Sequence, residues 1–286
     1  MPGSSPPLCA GRQAGPVEGD TLLSVSVHLR ARPDSPGLGW VNRQALRAPA
    51  ERVVLTRAQF AERHGALGSD VDEVRAWLEG CGLRVDAVHP GRRRIVASGT
   101  ALLMQRAFAV GLCVHRGGGG EVHLGRKGAL VVPSGIAPLL RAVLGLDGCL
   151  RVRWDDGRAS ADSLVCAVAA PGAASERALV DAVIDTVHDP SRRALLVVLG
   201  FGAPEAEWSV QGMRVVEQTL FGAGAMGVSV VAACREGERW YPASARHAIA
   251  SAAVWDAADE LAAEIRRTGY PLGGTISALG SDSSGL

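Results

Sequence analysis

Two apolar runs constrain this chain most: residues 194–201 (ALLVVLGF) and 227–233 (GVSVVAA). Both are nearly continuous rather than alternating. Each therefore reads as a strand buried on both faces, as in a parallel sheet. Between them, residues 210–221 carry apolar side chains at helical spacing, closed by the small-residue stretch Gly222-Ala223-Gly224. Strand, helix and strand in that order make a βαβ unit with a right-handed crossover. Upstream, residues 175–188 place Leu179, Val180, Val183 and Val187 on one helix face, and Asp189-Pro190 stops that helix. His188 lies at its end, where a cation would complement the helix dipole. Residues 163–169 (SLVCAVA) are an apolar strand or the start of a buried helix, and periodicity does not decide between them. Ala170-Pro171-Gly172-Ala173 is a turn, and Trp208 covers a sheet end. Residues 251–268 form a helix with opposite charges at helical spacing. The second half is thus α/β over residues 161–268, with a mobile Gly- and Ser-rich tail at 269–286.

The first half follows a different pattern. Residues 22–29 (LLSVSVHL) alternate apolar and polar, the mark of a strand with one buried face. Thr56 caps a short helix, 57–64, closed by Gly65, and Ser69 caps a second helix with Asp70, Asp72 and Glu73 in its first turn. Val71, Val74, Trp77 and Leu78 form the buried face of that second helix, which Gly80 and Gly82 end. Strands are expected at 83–88, 94–97 and 110–115, and helices at 100–108 and 136–144, the last capped by Ser134. Residues 117–120 are a flexible glycine tip. This order suits an α+β sandwich with an antiparallel sheet. Residues 1–19, rich in Pro, Gly and Ser, are expected to be disordered; residues 20–148 form the first domain, and 149–160 link it to the second.

Composition excludes more than it selects. A net charge of +1 gives no argument for nucleic-acid binding. Lys127 is the only lysine among 30 basic residues, a coding bias that a protein surface tolerates. The six cysteines show no CxxC spacing and the seven histidines no HxH or HxxxH pair, so neither zinc nor redox chemistry follows. The N-terminus lacks the basic start and apolar core of a signal peptide, and no apolar run is long enough to span a membrane. The chain as written is expected to stay in the cytoplasm.

Several motifs carry a resemblance. LTRAQFAERHG from Leu55, IVASGTALLMQRAFAVGL from Ile95 and VPSGIAPLLRAVLGLD from Val132 resemble, in order and spacing, the activation prodomain of the sedolisin (serine-carboxyl) peptidases. AAPGA from Ala169, DAVIDTVHDPS from Asp181, LLVVLGFGAPEAEW from Leu195 and GAGAMGVSVVAA from Gly222 resemble the middle of their subtilisin-like catalytic domain. The resemblance implies a ferredoxin-like prodomain followed by a shortened subtilisin-like domain. It also implies a catalytic set: a serine nucleophile, a glutamate base, an aspartate that orients it, and a protonated aspartate at the oxyanion.

Carried onto this sequence, that set is damaged. The orienting aspartate falls on Asp162 and the base on Arg158, and a guanidinium cannot accept the proton. The oxyanion aspartate falls on Glu236, beside Arg235, whose charge favours the ionised carboxylate over the donor form. The serine turn is Gly273-Gly274-Thr275-Ile276-Ser277-Ala278, where an extra isoleucine shifts Ser277. The family's calcium site has no counterpart: Asp282 stands alone and no cofactor is expected. Gly200, Phe201 and Gly202 match the edge that pairs with a bound peptide's backbone, a function that needs no catalytic residue. The resemblance therefore implies an inactive homologue that binds a protein or peptide, as a prodomain-type inhibitor or partner of a true peptidase, with its prodomain docked on its second half. The alternative is a serine-type endopeptidase, weakly active or a truncated form of a longer proenzyme.

Overall fold

A computed structural model describes residues 1, 3–5, 12–36, 40, 43–44, 47–117, 122–148, 151–153, 165–168, 173–189, 196–199, 208–233, 249–251 and 254–268. In chain order the first half runs β1 (Arg12–Pro16), β2 (Leu22–Leu29), α1 (Arg57–His64), α2 (Gly68–Gly80), β3 (Arg84–His89), β4 (Arg94–Thr100), α3 (Ala101–Phe108), β5 (Gly111–Arg116), β6 (Val122–Lys127) and β7 (Leu140–Leu144). The main sheet is antiparallel with order β3-β4-β2-β7. Leaving aside the sheet of β1, β5 and β6 and the short extra helix α1, the element order is βαββαβ. With this strand order, that is the ferredoxin-like arrangement. The prodomain-type α+β expectation therefore holds.

Local chemistry sets the helices. At α1, Thr56 Oγ1 accepts the Gln59 amide at 3.2 Å while Gln59 Oε1 accepts the Thr56 amide at 2.9 Å, a complete capping box. At α3, Thr100 caps through the Leu103 amide. Helix α2 differs from expectation: it starts at Gly68 after Leu67 with no side-chain cap, so Ser69 lies inside the first turn. The sheet face toward α2 and α3 buries Val25, Val27 and Leu29 of β2 with Ile95 and Ala97 of β4, against Val71, Val74, Leu78, Met104 and Phe108.

Two expectations are corrected. Residues 136–144 are not a helix: Ala137–Leu139 make one 3-10 turn containing Pro138, and β7 then pairs antiparallel with β2. Ala142 and Leu144 point to the second half while Leu140 and Val143 join the first-half core. A strand buried on both faces shows no alternation and mimics a helix in sequence. The stretch before Asp20 is not without order. Strand β1 pairs with β5 (Gln13 opposite His115), making a three-stranded sheet with β6, and Ser4 Oγ accepts the Leu130 amide at 2.9 Å.

The second half runs β8 (Arg151–Arg153), β9 (Val165–Val168), β10 (Ala173–Ser175), α4 (Glu176–His188), β11 (Leu196–Leu199), α5 (Val210–Ala225), β12 (Ser229–Ala233), β13 (Ile249–Ser251) and α6 (Val254–Thr268). Its main sheet is parallel with order β13-β12-β11-β9; Leu196 lies opposite both Ser229 and Val165. Residues 163–169 thus contribute a strand. Within the stretch expected as linker, β8 pairs antiparallel with β10. Helix α5 continues through Gly222-Ala223-Gly224 instead of stopping at Phe221, because its last turn packs against the first half, where small residues fit. The tip at 118–120 and the tail at 269–286 lie outside the described residues. Among the described residues no helix is long and apolar enough to cross a membrane.

Candidate functional site

The described chemistry concentrates where the two halves meet. Strand β2 alternates, as its sequence requires, but both faces are covered. Val25, Val27 and Leu29 face the first-half core; Ser26 is 0% exposed and His28 2% exposed on the opposite face. That polar face lies under α4. Ser175 caps α4 by accepting the Ala178 amide, and Leu179, Val180, Val183, Ile184 and Val187 are buried along it.

On the same helix Arg177, Asp181 and Asp185 recur every four residues, so they share one side. Arg177 donates from Nη1 to the Ser24 carbonyl at 2.7 Å and from Nε to Ser26 Oγ at 2.9 Å. Ser26 Oγ donates to Asp181 Oδ2 at 2.6 Å. Arg94 of β4 donates to Asp181 Oδ1 at 3.1 Å and to Asp185 Oδ1 at 2.6 Å, and Arg92 donates to Asp185. Arg94 and Asp181 are nearly dry, with side chains 6% and 18% exposed, whereas Asp185 is 48% exposed. The inner pair therefore governs docking and the outer pair is screened.

A second corner is aromatic. Phe60 of α1, fully buried, packs against Gly222 of α5, where a Cβ would lie 3.0 Å from the ring, a contact tight enough that the ring would have to give. The Leu55 amide donates to the Ala225 carbonyl at 2.9 Å. His64 stacks on Phe60 with centroids 4.8 Å apart and meets Phe221 edge-on; His188 lies 5.4 Å from Phe60. Ser35 Oγ lies 2.7 Å from His64 Nδ1. Burial first, and then neighbouring arginines, push His28 and His188 down to about 3 and His64 down to about 4. His188 is thus held neutral at its helix end, and the expectation of a favourable cation there is corrected.

The third corner is acidic and sits where β7 runs out beside the starts of α4 and α5. Glu176 Oε1 accepts the Ser209 amide at 2.8 Å, Gln211 Oε1 accepts the Val143 amide at 3.2 Å, and Arg126 pairs with Asp147 at 3.2 Å. A Cβ on Gly212 would fall 2.1 Å from Glu176 Oε1, so any larger residue there would force the carboxyl to move off the Ser209 amide. Burial and then Asp147 push Glu176 up to about 7; burial also raises Asp147, against the pull of Arg126.

The residues singled out from sequence for catalysis and peptide binding, Arg158, Asp162, Gly200, Phe201, Gly202, Glu236 and Ser277, lie outside the described residues. The interface residues were not singled out as a site. The signal was present in the four-residue spacing of Arg177, Asp181 and Asp185, and in the serines alternating along β2.

Residues 11–148 match the family model of the Pro-kumamolisin activation domain. The sedolisin resemblance of the motifs in the first half agrees with this match. Kumamolisin of Bacillus sp. (strain MN-32) is 25% identical over 321 positions, covering 77% of this chain and 58% of that protein. This chain therefore spans little more than half of that relative's length.

Proposed function

We propose that this chain is a kumamolisin-related protein that acts by protein binding through its activation domain and does not cleave peptide bonds. The carrying observation is the closed interface, in which the polar sheet face of the activation domain is covered by α4 and bonded to it through Ser26, Arg94, Arg177 and Asp181. The parallel sheet with its helices is then a shortened subtilisin-like domain. The aligned length of 321 positions exceeds the 286 residues of the chain, so the relative has stretches with no counterpart here. With Arg158 at the base position and Ile276 displacing Ser277, a serine-carboxyl mechanism lacks its proton acceptor. The ligand is a protein, a peptidase domain of the related kind, and no metal is required.

The test is hydrolysis of unfolded protein substrates from about pH 3 to about pH 8, the range over which carboxylate pairs change protonation. No cleavage is expected. Cleavage abolished by Ser277→Ala would establish the second reading, a serine-type endopeptidase, which the similarity to kumamolisin over most of the chain favours.

A further inference from the structure

We infer that Arg93 and Arg141 form a binding site for a small divalent oxyanion, phosphate or sulfate in class, at the end of β2 where the two halves meet. Arg93 follows the 3-10 turn Pro90–Arg92 and has left-handed backbone, with φ 53°. Its carbonyl accepts the Leu29 amide at 2.8 Å, so it flanks the last residue of β2 from the β4 side. Arg141 flanks the same residue from the other side. In β7, Leu140 lies opposite Leu29 and Ala142 opposite His28, and Arg141 occupies the irregularity between them. The Ala66 amide donates to the Pro90 carbonyl at 3.0 Å, which fixes the turn just past the end of α1 and so beside His64.

The Arg93 guanidinium carries its charge inward without a counter-charge. Arg93 is 7% exposed, yet its side chain makes no hydrogen bond or ion pair to any described residue. The carboxylates held at this end of the sheet are matched to other arginines: Asp70 to Arg30, Asp181 to Arg94, and Asp185 to Arg92 and Arg94. Burial and then the charge of Arg141 pull Arg93 down to about 10, and no carboxylate opposes them. It therefore stays protonated at neutral pH, where a buried charge with no partner is costly and an anion relieves that cost. Arg141 is exposed and likewise unpaired, so the two arginines lead from the surface inward and give an anion a way in. Two unmatched guanidinium groups suit a charge of two, and their planar forks bind phosphate or sulfate oxygens in pairs. The imidazoles add donors. His28 Nε2 and His64 Nε2 are buried without a hydrogen-bond partner, and both rings feel the charge of Arg93. With the Ser35 hydroxyl donating to His64 Nδ1 across 2.7 Å, Nε2 carries the ring proton. His188 of α4 also feels Arg93, so the bound anion touches on both halves and favours their docked form.

The experiment titrates the full chain, dialysed free of both anions, with sodium phosphate and separately with sodium sulfate near neutral pH at constant ionic strength. Isothermal calorimetry reads binding, and thermal unfolding reads its effect on the fold. The expected result is saturable uptake of one anion per chain and a transition that moves upward with anion concentration. Arg93→Met should weaken binding by about 10- to 100-fold, the loss of hydrogen bonds to a charged group. Arg141→Ala, at the surface, should weaken it by about fivefold or less. In anion-free buffer Arg93→Met should melt no lower than wild type, because it removes a buried charge; a markedly less stable variant would mean that the chain itself satisfies Arg93, against the site. A wild type that binds neither anion overturns the proposal, since water alone then serves Arg93. Unchanged affinity in Arg93→Met places the anion elsewhere and also overturns it. An upward shift equal in wild type and Arg93→Met is the general effect of these anions on folded proteins and counts the same way. Should Arg93→Met fail to unfold cooperatively, Arg93→Lys keeps the charge without the fork: weakened binding supports the site and unchanged affinity overturns it.

Discussion

At the scale of single residues, the interface separates charges that matter from charges that only decorate it. Arg94 is 5% exposed and its partner Asp181 nearly dry, so removing the guanidinium leaves a carboxylate in low dielectric. Arg94→Ala should cost about 3–5 kcal/mol in urea unfolding, whereas Arg92→Ala, whose partner is half exposed, should cost about 1 kcal/mol or less. Gly212→Ala should be destabilising by about 1–3 kcal/mol because its methyl would overlap Glu176 Oε1, and Glu176→Ala in the same chain should recover part of that loss. The titrating groups pull in opposite directions. His28, His64 and His188 have folded values far below 6.5, so the unfolded chain takes up their protons first. Their stabilisation is present above about pH 6.5 and declines as pH falls toward their folded values, at up to about 1.4 kcal/mol per pH unit for each. Glu176 is raised, so its contribution is complete below about pH 4.5 and is lost as pH rises through about 7. His188→Gln should flatten the acid limb of a stability–pH profile by about one proton. Glu176→Gln should flatten the limb between about pH 5 and 7. A profile unchanged by either substitution would remove these groups from the linkage.

At the scale of elements, what the sequence reveals depends on how many faces an element buries. Helices α1, α3 and α4 are legible because each has a polar cap and one apolar stripe: Thr56, Thr100 and Ser175 all cap as their positions require. Strand β2 is legible in extent, but its alternation implies one wet face. The serines on that face are instead buried against another element, and no local pattern distinguishes water from Asp181 as the partner of Ser26. Strand β7 is misread for the complementary reason: Leu140 and Val143 serve one core, Ala142 and Leu144 another, and the run loses its period. Of the interface, the apolar stripe of α4 was legible and the arginine–aspartate stripe beside it was visible only as solvated charge. Helix α1 supplies an element-scale test. It contributes Phe60 to the second half and little to its own core. Phe60→Ala should cost about 3–5 kcal/mol. The loss should appear as faster amide exchange in α5 while β3 and β4 keep their protection; uniform loss across the first half would show that α1 instead belongs to the first-half fold.

At the scale of the whole molecule, the two halves have separate sheets but not separate cores. Leu55, Phe60, Ala142 and Leu144 of the first half lie in the cluster built by α4, α5 and the parallel sheet. The sheet face of the first half is in turn buried by α4. Each half therefore completes the other, and the energy that joins them is of two kinds. The apolar part is insensitive to salt, while the Arg92–Asp185 rim is screened. Two linked units with so large a shared surface should unfold together. Calorimetry of the full chain near neutral pH is expected to show one transition whose calorimetric and van't Hoff enthalpies agree. Asp181→Arg/Asp185→Arg should split it into two, because the first half keeps its own core of Val25, Val27, Ile95, Leu78 and Phe108 while the second half loses its cover. The uncovered half exposes the apolar faces of α4 and α5, so a fragment of residues 161–286 alone should aggregate or bind a hydrophobic dye. Supplying residues 12–148 separately should return it to solution. A soluble, monodisperse 161–286 fragment would mean that the second half closes its own core, and the single transition of the full chain would then have to arise from the polar contacts alone.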